Sequence, residues 1–182
     1  SQVGDELINQ GGLALITSVI MILLYLSFRF EWRLAAGSVI PLCHDVIIVL
    51  GIFAWLDIPF DLTIVASLLA IIGYSLNDSI IVGDKIREIM QRNNQQSVES
   101  MVNLAIKATI VRTLITSGTT LATILAVWIF AGESLAGFAM ALFSGVLVGT
   151  FSSITISATV PQLLGLSVEH YNPTEQELCS LP

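Results

Sequence analysis

The chain has 182 residues, of which 54% are hydrophobic and only 12% are charged, and its mean hydropathy is +0.85. A soluble domain carries roughly a quarter charged residues, so this composition excludes an ordinary water-soluble domain. The formal net charge of −7 gives no reason to expect a nucleic-acid partner. In a membrane protein the positions of Lys and Arg matter more than their sum.

The apolar residues are gathered into long runs that short charged segments separate. A helix that spans the bilayer needs about 20 mostly apolar residues, and five runs are of that order. We expect spans over residues of about 12–28, 34–56, 62–82, 110–131 and 135–166. The sequence therefore predicts an all-α fold, a polytopic membrane bundle of about five transmembrane helices.

Residues 84–107 are polar and differ from the runs on either side. The stretch Arg92-Asn93-Asn94-Gln95-Gln96 is a predicted turn, and Ser97 is placed to cap a short helix after it. We interpret 84–107 as an interfacial connector. Asp61, just before the third run, is expected to be a helix N-cap. Residues 167–182 are a polar tail.

The basic residues predict an orientation. Six of the seven Lys and Arg residues lie in the first and third loops: Arg29, Arg33, Lys85, Arg87, Arg92 and Lys107. By the positive-inside rule these loops are cytoplasmic, so the N-terminus faces outward and the C-terminus faces the cytoplasm. The chain has no signal peptide and no initiator Met. An outward N-terminus then needs a preceding span, and we expect this to be the C-terminal part of a longer protein.

Three ionisable residues fall inside predicted spans: Asp45, Asp78 and Arg112. A charge at the bilayer centre costs about 2.5–3.5 kcal/mol on insertion scales, and such residues usually face a bundle interior and have a function. The third and fourth runs are joined through one connector, so Asp78 and Arg112 are expected at comparable depth. The hypothesis is a proton relay in which Asp78 takes and releases a proton while Arg112 favours its ionised form.

Structural alternatives stay open for each of these residues. Asp78 could form a static ion pair or hydrogen bond between helices, and Arg112 could extend towards the headgroups. Asp45 could accept a hydrogen bond from a neighbouring helix. Its neighbour His44 could be a packed polar residue rather than a proton carrier.

Small residues recur every four positions along the fifth run. Such spacing lets helices approach closely, so we predict a helix-packing face. Its members are Gly137, Ala141, Gly145, Gly149, Ser153 and Ser157.

No pattern in the chain predicts covalent catalysis or a cofactor. There is no phosphate-binding loop and no Cys or His spacing of a metal site, and Cys43 and Cys179 lie in unlike segments. Gly73-Tyr74-Ser75-Leu76-Asn77 is near a nucleophile-elbow pattern but lacks its last Gly. We therefore expect neither an enzyme nor a bound metal.

Six segments together resemble one family of membrane proteins. They are Phe28-Arg29-Phe30-Glu31-Trp32-Arg33, His44-Asp45-Val46, Phe60-Asp61-Leu62-Thr63, Ile72-Gly73-Tyr74-Ser75-Leu76-Asn77-Asp78-Ser79, Arg112-Thr113-Leu114-Ile115-Thr116-Ser117 and Gly149-Thr150-Phe151-Ser152-Ser153-Ile154. In order and spacing they resemble the SecF family, the membrane subunits that accompany SecD in bacterial protein export. The resemblance spans nearly the whole chain.

The resemblance implies half of a transporter of the resistance-nodulation-division superfamily, here without its first span and periplasmic domain. Residues 1–11 would be the end of that outer domain, and 167–182 a cytoplasmic tail. It implies a protein of the bacterial inner membrane, in contact with lipid, that uses the proton motive force to assist preprotein export. The implied partners are SecD and the SecYEG translocon, with YajC as a further candidate.

In the same resemblance Asp78 matches the proton-relay carboxylate of the family, Arg112 its arginine and Asp45 a family aspartate. The partner carboxylate would come from SecD. Two other functions stay open. The chain could be a structural scaffold for SecD without its own relay, or a small-molecule exporter of the same superfamily.

Overall fold

Five long helices make up the computed structural model, which describes residues 7–92 and 96–171. They are α1 (Gly12–Arg29), α2 (Trp32–Trp55), α3 (Leu62–Arg92), α4 (Val98–Phe130) and α5 (Ala136–Leu163). Each belongs to a helical segment that is long and apolar enough to cross a membrane. No strand occurs in the described ranges, so the all-α prediction of about five spanning helices is confirmed.

The helices reach further into residues 84–107 than the hydropathy suggested. α3 continues to Arg92, and α4 starts at Val98 and runs on without a break into the fourth predicted span. Glu88 supports the extension of α3, because it bonds to Lys85 at 2.8 Å and to Arg92 at 3.2 Å along the same helix. Most of the predicted connector, residues 84–107, therefore belongs to the C-terminal end of α3 and the N-terminal end of α4. Residues 93–95 of the predicted turn, 1–6 and 172–182 lie outside the described residues.

Two polar side chains begin helices as predicted. The Ser97 hydroxyl accepts a hydrogen bond from the Ser100 amide at 3.3 Å and caps α4. The Asp61 carboxylate accepts from the Thr63 hydroxyl at 2.6 Å and from the Ile64 amide at 3.0 Å at the start of α3. The hydrogen bond from Thr63, together with those from the backbone, holds the pKa of Asp61 below its usual value.

α5 occupies the centre of the bundle and packs against α2, α3 and α4. α1 lies at the edge, where Leu26 is its buried residue. One apolar cluster fills the end that carries the α1–α2 and α3–α4 connections, which we call the connector end; it includes Leu26, Val82 and Met101. A second cluster around Phe53 fills the opposite end.

Glycines bring α5 close to two of its neighbours. A Cβ atom on Gly37 of α2 would lie 2.6 Å from Pro161 Cγ and 3.0 Å from the Ser157 carbonyl oxygen. A Cβ atom on Gly145 of α5 would lie 2.5 Å from Ile71 Cδ1 of α3. The distances of 2.6 Å and 2.5 Å are too short for a real Cβ atom, so the helices approach as closely as small residues permit.

Candidate functional site

Asp45 lies on α2 and is completely buried. Its Oδ2 atom accepts hydrogen bonds from the Ser75 hydroxyl of α3 at 2.5 Å and from the Ser152 hydroxyl of α5 at 2.8 Å. His44 Nδ1 lies 3.1 Å from the other carboxyl oxygen. One carboxyl group thus links three helices in the middle of the bundle.

Space for this carboxyl group comes from the absence of a side chain on α5. A Cβ atom at Gly149 would lie 3.3 Å from Asp45 Oδ2 and 3.6 Å from Ser75 Cβ. The first distance is tighter than most real Cβ contacts. Gly149 and Ser152, one turn apart on α5, therefore form one wall of the Asp45 site.

His44 connects the Asp45 site with the bundle surface. Its side chain keeps 37% of its surface exposed, whereas that of Asp45 keeps none. Adjacent residues of a helix point about 100° apart, so Asp45 faces α3 and α5 while the imidazole lies at the margin. The groups that bond to the Asp45 carboxyl group in the described ranges are therefore two hydroxyls and this ring.

Asp78 lies on α3 and is 1% exposed. Its Oδ2 atom is buried and has no hydrogen-bond partner among the described residues. The next residue, Ser79, does have a partner on α5, because the Ser157 hydroxyl donates a hydrogen bond to Ser79 Oγ at 2.9 Å. An unpaired buried carboxyl oxygen is costly, and this makes Asp78 unlike Asp45.

Arg112 lies on α4 with an exposed side chain. Its positive charge is close enough to act electrostatically on Asp78. No ion pair within 4.0 Å joins the two residues in the described part of the chain. The carboxyl group of Asp78 lies inside the bundle, and the side chain of Arg112 is exposed at its surface.

A layer of hydroxyl groups lies one helical turn from Asp78. The Tyr74 hydroxyl of α3 donates to Ser117 Oγ of α4 at 2.9 Å, and the Thr150 hydroxyl of α5 donates to the same oxygen at 2.7 Å. This layer joins the three helices around Asp78 and fixes their relative positions.

The small-residue stripe of α5 faces the interior along most of its length. Five of its six members are buried: Ala141, Gly145, Gly149, Ser153 and Ser157. Gly137 is partly exposed, and nothing lies within 4 Å of where its Cβ atom would be. The stripe also has polar contacts that close packing does not require, because Gly149 borders Asp45 and Ser157 bonds to Ser79.

Sequence reasoning missed the partners of the buried carboxyl group. Ser75 and Ser152 occur in segments that carry the family resemblance, and Ser75 also in the incomplete nucleophile pattern, but neither pattern predicts a hydrogen bond to Asp45. The bonds among Tyr74, Ser117 and Thr150 are likewise not predicted. Hydroxyl residues are common in membrane helices, where many bond only to their own backbone. The one available signal was the density of Ser and Thr in the apolar helix α5 between 150 and 157.

No metal site is formed by the residues that the structure describes, since no group of three or more His, Cys, Asp or Glu side chains is close enough. Cys43 is a free, exposed thiol. Cys179 lies outside the described residues.

Comparison with known proteins places this architecture in a family. A family model described as "Protein export membrane protein SecD/SecF, C-terminal" matches residues 1–166. The protein translocase subunit SecF of Vibrio alginolyticus is 50% identical over 96% of this chain and 56% of its own length. SecF of Escherichia coli O157:H7 is 49% identical over 92% of this chain and 52% of its own length. The chain thus spans about half the length of these relatives.

A solved structure has the same arrangement of helices. The crystal structure of SecDF from Thermus thermophilus, described as a translocon-associated membrane protein, matches with a TM-score of 0.86 and 39% sequence identity. The match covers 90% of this chain and 23% of that one. Together with the five apolar helices, these similarities identify a multi-pass membrane protein. The chain belongs to the SecD/SecF C-terminal family of protein export membrane proteins.

Proposed function

We propose that this chain is the C-terminal membrane part of a SecF-type translocase subunit. With SecD and the SecYEG channel, the whole protein uses the proton motive force to assist export of preproteins across the inner membrane. The similarity to translocase subunits named SecF supports the process. The observation that carries the proton-coupled mechanism is the buried Asp78 carboxyl group with an unpaired oxygen near Arg112.

Asp78 suits a proton carrier because neither of its protonation states is fully stabilised in this arrangement. A neutral carboxyl group is compatible with an apolar interior, and an ionised one is favoured by a nearby guanidinium. A movement of α3 against α4 would change the distance to Arg112. Proton uptake and release would then be coupled to two packings of the bundle.

The available energy is adequate for such a switch. One elementary charge that crosses about 100 mV releases roughly 2.3 kcal/mol, which changes an equilibrium constant by roughly 50-fold. That is enough to invert the populations of two packings that differ by about 1 kcal/mol. The mechanism needs no covalent catalysis and no cofactor.

Asp45 is a second member of the proposed relay. Ser75, which donates to Asp45, lies one turn before Asp78 on α3. This places the two carboxyl groups on the same side of α3. His44 would link Asp45 with the bundle surface.

Basic residues support an orientation with the connector end in the cytoplasm. Arg29 forms an ion pair with Asp84 at 2.7 Å, and Arg87 donates to the Arg29 carbonyl oxygen at 3.4 Å. The first and third loops thus meet at one end of the bundle with their positive charges. Residues 1–11 would then be the periplasmic end of an outer domain, and 167–182 a cytoplasmic tail.

SecD is the proposed partner in the membrane. The exposed Arg112 lines a surface pocket with Asp84 and Glu88, and a charge at the edge of a membrane span needs an opposite charge or water. A carboxylate supplied by SecD would meet this need. SecYEG, YajC and the preprotein belong to the same proposed assembly, and lipid covers the remaining apolar surface.

Export assays on Asp78→Asn in the full-length protein test the proposal. The asparagine keeps the size of the side chain but carries no exchangeable carboxyl proton, so we expect export driven by the proton motive force to be lost. Asp84→Asn is the matched control, because Asp84 is half exposed and paired with Arg29 at the connector end. Normal export by the Asp78 variant would refute the relay.

A second candidate function is a structural scaffold for SecD, and the close packing of α5 favours it. The near-contact between Gly145 and Ile71 shows how little room this helix has. A pure scaffold predicts that Asp78→Asn is silent while Gly145→Leu abolishes assembly with SecD. Co-purification with SecD and export, measured on both variants, separate the two functions.

A further inference from the structure

Thr113 of α4 differs from four other threonines of the same helix. The hydroxyls of Thr109, Thr116, Thr119 and Thr123 each donate to a carbonyl oxygen one turn back. Thr113 is 1% exposed, and its Oγ1 atom has no hydrogen-bond partner within the described residues. A buried hydroxyl without a partner is unfavourable, so this one needs an explanation.

The register between α3 and α4 places Thr113 beside Asp78. The hydrogen bond from Tyr74 to Ser117 aligns the two antiparallel helices at one level. Four residues, about one turn, lead from Tyr74 forward to Asp78 and from Ser117 back to Thr113. Residues one turn apart share a helix face, so Asp78 and Thr113 face each other at the next level.

Both members of this pair therefore have an unpaired buried oxygen in the same layer. Asp78 Oδ2 needs a donor when the carboxyl group is ionised, and the Thr113 hydroxyl is a donor without an acceptor. No hydrogen bond joins them in the arrangement described, although the register places the two residues at the same level of adjacent helices.

We propose that the Thr113 hydroxyl is the hydrogen-bond partner of the Asp78 carboxyl group during proton exchange. It is a positioning residue, and the inference rests on the proposed relay. A hydroxyl can donate to the ionised carboxylate and accept from the protonated acid. Arg112, which has no acceptor, can favour only the ionised form. Thr113 is thus suited to hold Asp78 in one orientation while its charge changes.

The ionisable residues of the helices packed against Asp78 do not supply a hydrogen-bond partner for its carboxyl group. α4 contributes Arg112, whose charge acts from the bundle surface. α2 contributes Asp45 and His44, which are engaged with each other and, through Asp45, with Ser75 and Ser152. α5 contains no Asp, Glu, Lys, Arg, His, Cys or Tyr at all.

Two substitutions at this position test the hydroxyl in the full-length protein assembled with SecD. Thr113→Val keeps the branched shape and removes the hydroxyl, whereas Thr113→Ser keeps the hydroxyl. We expect export driven by the proton motive force to fall about tenfold in the valine variant, because a hydrogen bond to a charged group is lost. We expect the serine variant to stay within about twofold of the parent.

Thr123→Val is the matched control. Thr123 lies on the same helix, is exposed, and bonds to its own backbone at 3.0 Å, so this variant should export normally. Equal losses in Thr113→Val and Thr113→Ser would assign the defect to packing and overturn the inference. Normal export by Thr113→Val would overturn it as well.

Stability and infrared spectra separate positioning from folding. Thr113→Val should leave the melting temperature of the purified complex unchanged or raise it, because the hydroxyl has no partner to lose in the resting arrangement. The carboxyl band that Asp78 gains on protonation is seen in difference spectra between high and low pH and is identified by its absence in Asp78→Asn. Because the bond is proposed to form during proton exchange, this band should lie at higher wavenumber in Thr113→Val than in the parent and return in Thr113→Ser.

An unmoved band in Thr113→Val would overturn the hydrogen bond whatever the export result. If Asp78→Asn exports normally, the proposed relay fails, and the infrared band still decides whether the two side chains bond. The two failures are therefore distinguishable.

Discussion

The bundle contains two buried carboxyl groups in opposite circumstances. Asp45 has a partner from each of two neighbouring helices and a third on its own, whereas Asp78 has an unpaired oxygen and a distant cation. Both are at most 1% exposed. Burial alone therefore does not distinguish a carboxyl group that holds helices together from one that is available for change, but hydrogen bonding does.

The difference arises from what the facing helices present. Opposite Asp45, α3 and α5 each present a serine, and Gly149 leaves room for the carboxyl oxygens. Opposite Asp78, the hydroxyl of Thr113 is present but not bonded. A fully bonded network fixes one arrangement, and an unpaired group favours rearrangement.

Asp45→Ala gives the largest expected loss of stability. The Ser75 and Ser152 hydroxyls would lose their acceptor in the interior, and three helices would lose their common contact. We expect about 2–3 kcal/mol of destabilisation, measured by denaturant unfolding of the purified protein. Asp45→Asn keeps a carbonyl oxygen as acceptor and should lose about half as much. Equal losses in Asp45→Ala and Asp78→Ala would erase the contrast between the two sites.

Gly149→Ala should follow with a smaller effect. The new methyl group would press on Asp45 Oδ2 from 3.3 Å, and we expect about 1–2 kcal/mol of destabilisation from overpacking. Gly137→Ala is the control on the same stripe, since nothing lies within 4 Å of its new methyl group. Alanine there should be neutral or should stabilise the helix by up to about 1 kcal/mol. Thermal unfolding of the two variants makes the comparison.

Asp78→Asn should barely change the stability while it removes export. The carboxyl oxygen has no partner to lose, so we expect the free energy of unfolding to change by less than about 1 kcal/mol. Denaturant unfolding and an export assay on the same preparation test both parts. A large loss of stability would mean that Asp78, as Asp45 does, holds neighbouring helices together in the arrangement described.

The smallest expected effect is at Asp61, a carboxylate outside the membrane spans. Its pKa lies below the usual value of 3.8 because the Thr63 hydroxyl and backbone amides donate to it. A carboxyl group whose pKa is lower in the folded than in the unfolded protein stabilises the fold at pH values above its unfolded pKa. The contribution of Asp61 to stability is therefore complete near neutral pH. It is lost as pH falls from about 3.8 through the lower folded value. Hydrogen exchange of the Ile64 amide should then show more opening in acid, and Asp61→Ala should remove that pH dependence.

Hydropathy predicted the spans well because apolar length is a local property. The ends of α3 and α4 were harder, since ion pairs such as Glu88 with Lys85 let a helix continue after its apolar run has stopped. Asp45, Asp78 and Arg112 stood out because each interrupts an apolar run. The sequence could not show that Asp45 is hydrogen-bonded and Asp78 is not. That difference depends on the register between helices, which decides whether a serine faces a carboxyl group. Gly137 shows the same limit, as it shares the spacing of the stripe without sharing its close contacts.

The absence of ionisable side chains from α5 has a mechanical consequence. A membrane potential exerts force on charges, and the side chains of this central helix offer none for it to act upon. In the proposed relay, voltage and proton binding would act on α2, α3 and α4, and α5 would stay an uncharged axis between them. Because α5 contacts all three of those helices, it would be the fixed element against which they move in that proposal.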